Sequence, residues 1–176
     1  MKKFLVPVLA AALLQGCYVE PNFVPEFPVG AVEGYQPVYV AVSESGISFQ
    51  AARPLKHPGK ICVYGSFLLV NERSAGIHFF DNSDPSHPLA LGFLSIPGNK
   101  DIAVRNKVLY ADHLNDLVAL DVSDWTAPKE VSRIRQSHWI AEVPPGSQRY
   151  FECVDASRGL VVDWKLTTLF NPSCFH

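Results

Sequence analysis

Three histidines, His57, His113 and His138, fall one to each of three successive stretches of the chain, and three imidazoles suffice to hold a divalent metal. No HxxxH, HExxH or EF-type spacing joins them, so no metal site is expected. Asp112 and Asp116 are paired carboxylates of the kind a glycosidase uses, provided a fold holds them roughly 5 to 9 Å apart. Nucleophilic catalysis has less support. The chain contains no GxSxG, SxxK, GxGxxG or P-loop motif, and Ser66 and Ser147 stand beside glycines in turn-like surroundings, so no catalytic residue and no cofactor are assigned. Arg73, Asn115 and Arg158 complete a set of polar candidates that recognise a ligand by hydrogen bonding rather than transform it.

These side chains must be positioned by short strands. Beyond Gln36 no window sustains a 3.6-residue apolar period, while runs rich in Val, Ile, Leu, Phe and Tyr recur between turn residues. The turn DNSDPSHP at 81–88 returns as DVSDWTAP at 121–128, and KDIAVRNKVLYADHLNDLVALDVSD at 100–124 lies over GKICVYGSFLLVNERSAGIHFFDNSD at 59–84. Ile61 thereby matches Ile102, Leu69 matches Tyr110, Asn71 matches Asp112, and Asp81 matches Asp121.

A unit of about forty residues with four strand-like runs is a β-propeller blade. In the second unit strands a to d are read at 102–104, 108–112, 117–121 and 129–134. A looser third unit is read at 138–143, 150–155 and 159–164. The fold expected is all-β, a partial propeller of about three four-stranded antiparallel blades over 36–176. The d-to-a and b-to-c loops share one face, which collects His57, Arg73, Asp112, His113, Asn115, His138 and Arg158 as ligand-face candidates. Trp125 stands where the first unit has Pro85 and is expected to be exposed, whereas Trp139 and Trp164 are expected in the core.

The N-terminus carries an address. Lys2 and Lys3, the apolar run Phe4–Leu14 and the quartet LQGC form a lipoprotein signal over 1–16. Cys17 is expected to take a diacylglycerol and amide-linked acyl chains such as palmitate, enough for stable anchoring. Residues 17–35, with Pro21, Pro25 and Pro28, read as a Pro-rich tether. Removing Lys2 and Lys3 from the 15 basic residues leaves 13 against 17 acidic ones, a net charge of −4, and no basic stripe is present to bind nucleic acid.

Of the remaining cysteines, Cys153 and Cys174 are expected to form a disulfide that pins the C-terminal tail, leaving Cys62 as a buried free thiol.

GIHFFDNSDPSHP and DLVALDVSD resemble the LVIVD-repeat β-propeller lipoproteins, whose name is the strand c consensus that Leu117–Asp121 nearly spells. YFECVDASRGLVVDW and NPSCFH are similar to stretches that follow the early repeats in that family. The resemblance implies a propeller at the bacterial cell envelope, typically in a longer chain. Residues 36–176 hold room for about three units, fewer than a closed propeller needs, so a truncated reading of a longer propeller is one alternative.

The function expected is a lipid-anchored binding or assembly module of the outer membrane without catalytic activity, with an envelope protein or glycan as partner. The other alternative is a carbohydrate-active or other hydrolytic enzyme. Bare blade faces near Val108–Tyr110 and Leu160–Val162 lead us to expect self-association or capture of a completing partner.

Overall fold

The computed structural model describes residues 26–136 and 143–176. Thirteen short strands, interrupted among the described residues only by two single 3-10 turns, form three sheets.

The first sheet holds β3 (Pro58–Tyr64), β4 (Phe67–Glu72), β5 (Gly76–Asp81) and β6 (Leu89–Ser95) as consecutive antiparallel neighbours, with β2 (Ser48–Gln50) added beyond β6. The second repeats the order with β7 (Ile102–Arg105), β8 (Val108–His113), β9 (Asp116–Asp121) and β10 (Lys129–Ile134). These are the two four-run units of the sequence, and the all-β expectation holds.

Each c-to-d turn is made as its residues require. Ser83 N–H donates to Asp81 Oδ1 at 2.8 Å and Ser86 N–H to Asp84 Oδ1 at 3.0 Å; Ser123 and Thr126 donate likewise to Asp121 and Asp124 at 2.8 and 2.9 Å. The recurring Asp is thus an Asx-turn acceptor; hydrogen bonds from Ser83, Ser123 and Thr126 hold the Asp81, Asp121 and Asp124 carboxyls below the ordinary range, and those from His87 first and Ser86 next do the same for Asp84.

Tight hairpins and a tight d-to-a link place the two sheets face to face. Leu69, Ile77, Phe79, Leu94 and Ile96 of the first sheet and its d-to-a link share one core with Ile102, Leu109, Ala111, Val118, Leu120 and Val122. Trp125 corrects the expectation of exposure: its ring is half-buried at 4.9 Å from Phe79, 5.0 Å from Phe67 and 6.3 Å from Tyr64. The large indole displaces the turn proline because it can reach across to the neighbouring blade. Cys62 is half-buried against the same core rather than fully enclosed.

The third sheet departs from the expected order. Its strands are β1 (Ala31–Val40), β11 (Tyr150–Phe151), β12 (Leu160–Phe170) and β13 (Cys174–Phe175), in the order β12-β1-β11-β13. β1 pairs antiparallel with β12 over ten register positions and parallel with β11 through Tyr35 and Phe151. The run 159–164 therefore does not pair with 150–155, and the tether reading ends early, because residues 31–35 are strand. An eleven-residue β-rich strand needs a partner of like length, and β1 supplies it, while β11 spans two residues.

Strand alternation also divides the expected bare positions: Tyr110 and Leu160 are exposed, whereas Leu109 and Val162 are buried. Residues 138–142 of the third unit, with His138 and Trp139, lie outside the described residues, as do Cys17 and the tether to residue 25. Among the described residues no helix is long and apolar enough to cross a membrane.

Cys153 and Cys174 are disulfide-bonded, with Cα atoms 5.3 Å apart. The bond ties the segment just after β11 to β13 across a sequence separation of 21 residues. In the chain-entropy account its loss costs about 3 kcal/mol. Urea unfolding of the Cys153→Ser/Cys174→Ser double variant is expected to show that loss, with the third sheet melting first. A shift below about 0.5 kcal/mol would show that the pairing does not stabilise the fold.

Candidate ligand cleft

The b-to-c turns of both blades carry a non-glycine residue in the left-handed region, Ser74 at φ 60° and Leu114 at φ 54°. Such backbone persists only where its surroundings enforce it, and here the intervening d-to-a link does so. Ser74 N–H donates to the Asn99 carbonyl at 2.7 Å, Gly98 N–H to the Ser74 carbonyl at 2.9 Å, and Leu114 N–H to the Pro97 carbonyl at 2.9 Å.

Asn99 is buried, and its amide donates to the carbonyls of Asp101 and Asp112 at 3.0 and 3.1 Å while its Oδ1 accepts from Asn71. Asn71 Oδ1 is buried without a hydrogen-bond partner, and a Cβ at Gly59 would meet it at 2.3 Å. Glycine is required there by that close approach.

On this rigid face two clefts open between the first blade and the third sheet. One, of about 820 Å³, is lined by Lys56, His57, Glu72, Arg73, Trp164 and Lys165 among others. The second, of about 640 Å³, includes Tyr39, Ser48, Arg53, Ser74 and Val162. Ser74 Oγ donates to Asp163 Oδ2 at 2.7 Å and bridges the two walls.

Glu72, which lines the larger cleft with its side chain 5% exposed, holds His78 Nε2 at 2.5 Å and faces Arg53 at 3.6 Å. His78, 2% exposed, packs edge-on against Phe93 at 4.8 Å, and the Arg53 guanidinium lies 3.5 Å above the same ring. Glu72 reaches the larger cleft while His78 is enclosed behind it, and the pair forms a largely buried hydrogen-bonded network.

The structure brings His57 and Arg73 together in the larger cleft, and the Arg73 N–H donates to the His57 carbonyl at 3.0 Å. The other candidates are dispersed. Asp112 is half-buried and its Oδ2 accepts from Asp101 N–H at 3.0 Å. Asn115 lines a separate hollow of about 480 Å³ with Asp116 and Arg135. Arg158 pairs with Glu152 at 2.5 Å and lies 4.4 Å above the Tyr39 ring.

His113 is buried: Nε2 is 2.7 Å from the Ser45 carbonyl and Nδ1 is 2.9 Å from Arg133 Nη1, which also reaches Asp116 at 2.7 Å. A carbonyl on one side and a guanidinium on the other fix the neutral tautomer, with Nε2–H donating and Nδ1 accepting. Among the described residues no cluster able to hold a metal ion occurs. Arg53, Ser74, His78, Arg133 and Asp163 were not singled out by sequence, because none belongs to a motif; only tertiary pairing gives them partners.

Burial holds the His113 pKa below its ordinary value, aided by the Arg133 charge and opposed by the Ser45 carbonyl. Because the folded-state value is depressed, the unfolded chain binds the proton first as pH falls below about 6.5, so stability declines from there downward and is unaffected above. Urea midpoints measured between pH 7.5 and 5 are expected to fall less in His113→Gln than in the unaltered chain. Identical slopes would refute the assignment.

The chain matches the LVIVD repeat family at residues 57–93 and 99–135. No curated protein matches it, and no solved structure does. The matched segments coincide with the two four-stranded units and their loops, and the chain therefore carries two LVIVD repeats, one to each blade.

Proposed function

We propose that this protein is a lipid-anchored binding module of the bacterial cell envelope, held at the outer membrane through Cys17, that recognises a glycan without transforming it. One observation carries the reading: Lys56, His57, Arg73 and Lys165 surround a cleft of about 820 Å³ walled by Trp164. An indole offers an apolar plate to a sugar ring, and cationic donors around it take hydroxyl or carboxylate oxygens. Glu72 borders the cleft, but its imidazole partner His78 is 2% exposed and lies behind it, which favours binding over turnover.

The leader residues Lys2, Lys3, Phe4–Leu14 and LQGC support anchoring. Mass spectrometry of membrane-extracted protein is expected to show a chain starting at acylated Cys17. A panel of neutral and acidic envelope oligosaccharides, read by thermal shift and calorimetry, is expected to give one binding class that Arg73→Ala and Trp164→Ala each weaken about tenfold. Absence of binding, with pull-down of an envelope protein instead, would replace the glycan by a protein partner. Hydrolysis abolished by Asp112→Ala would replace the reading by an enzyme.

A further inference from the structure

Strand alternation gives each blade two faces. On the first blade Leu69, Ile77, Phe79 and Leu94 share the face that packs on the second blade, and Ile61, Val63, Leu68, Val70 and Phe80 share the opposite one. On the second blade the relation is reversed: Ile102, Leu109, Ala111, Val118 and Leu120 meet the first blade, and Ala103, Tyr110, Leu117 and Ile134 look away.

Repeat alignment makes these faces equivalent. Leu69 corresponds to Tyr110 and Ile61 to Ile102; hairpin register adds Leu94 to Ile134. Leu69 is 0% exposed and Tyr110 41%; Leu94 is 0% and Ile134 59%; Ile61 is 63% and Ile102 2%. Each bare apolar position therefore has a buried counterpart at the contact between the blades. The exposed patches, Ile61 and Val63 on the first blade and Tyr110 and Ile134 on the second, belong to the two halves of that contact, one at each end of the pair.

We infer that a second copy of this chain docks head to tail, the Ile61–Val63 face of its first blade covering the Tyr110 face of the second blade. The occupant is a second copy because the complementary surface is carried by the molecule itself, and the step that relates blade one to blade two, taken again, brings that surface into place. Such a contact is heterologous, closing into a ring or continuing as a chain.

The contact is also smaller than its template. Arg53 over Phe93 covers the loop end of the first blade's outer face, confining docking to the half that bears Ile61 and Val63. Trp125, which clamps the internal contact, corresponds to Pro85, so no indole reaches across between copies. Association is accordingly reversible, and it does not depend on the glycan reading.

The test uses the full chain carrying Cys17→Ser and Cys62→Ala, so that Cys153–Cys174 is the only remaining disulfide. Val63→Cys and Ala103→Cys are introduced separately, both at exposed positions. Their internal counterparts are Val104 and Cys62, on β7 and β3, which lie side by side between the blades with Lys107 N–H donating to Tyr64 Oη at 3.0 Å.

Mild oxidation of the mixture is expected to give at least fivefold more covalent dimer than either variant alone. The double variant is expected to give a ladder or a closed ring, and Tyr110→Glu to cut the yield about tenfold. Equal self-linking of each variant, or no link at 100 μM, would overturn the inference. So would a sedimentation-derived mass of the unlinked chain that stays monomeric from about 5 to 200 μM.

Discussion

Trp125→Ala is expected to cost about 3 kcal/mol of stability, the lower part of the range for removing a large aromatic from a packed site, because the indole is only half-buried. Trp125 belongs to the c-to-d turn of the second blade, yet Phe67, Phe79 and Tyr64, the rings it touches at 5.0, 4.9 and 6.3 Å, all belong to the first. Its removal deletes aromatic contact between blades rather than within one, and the space opens at the rim of the shared core. Trp125→Phe is expected to restore about half of the loss by keeping a ring at the site. Urea unfolding at pH 7, followed by far-ultraviolet circular dichroism, reads both. A loss below about 0.5 kcal/mol for the alanine variant would mean that the blades are held by Leu69, Leu109 and their neighbours alone.

Glu72→Ala is expected to be as severe, about 3 kcal/mol, because removing one partner of a buried hydrogen-bonded network leaves the others desolvated and unpaired. The carboxylate is 5% exposed, touches His78 at 2.5 Å and faces Arg53 at 3.6 Å. Loss of the carboxylate removes the partner that holds Arg53 over Phe93, so the outer face of the first blade opens. Glu72→Gln keeps an acceptor and is expected to lose less. Replacing Glu72 and His78 together with leucine is expected to cost less than Glu72→Ala alone, since no polar group is then stranded. A double variant no more stable than the single one would show that the pair contributes packing rather than compensation.

The repeat turns show how far local chemistry reaches. Asp81, Asp84, Asp121 and Asp124 accept from amides two residues onward, an interaction complete within four residues. The hairpins they join follow from alternation and left-handed turn residues, and strands a to d of the second unit fall within a residue of where their composition sets them. The disulfide was legible too, because a cysteine beside a terminal strand has few partners. His57 and Arg73, read onto one face from loop order around a blade, both line the larger cleft.

What escaped is long in sequence and short in space. β1 and β12 pair residues such as Tyr35 and Leu166, and no local signal distinguishes a strand awaiting a distant partner from a proline-bearing tether. Glu72, His78 and Arg53 are ordinary polar residues until Arg53 lies across Phe93. Trp125 has one backbone address and the opposite environment from its proline counterpart, because exposure of a turn side chain depends on what stands across from it.

The sequence by itself determined the strands of the two repeats, their turn chemistry and the faces of each blade, all governed by interactions spanning a few residues. Tertiary structure alone decided how the third sheet is assembled, which indole clamps the blades, and that the cleft lies between the first blade and β12. Those outcomes rest on burial and on contacts across 46 to 141 residues, where the competing arrangements have the same local energy and differ only in which surfaces are removed from water.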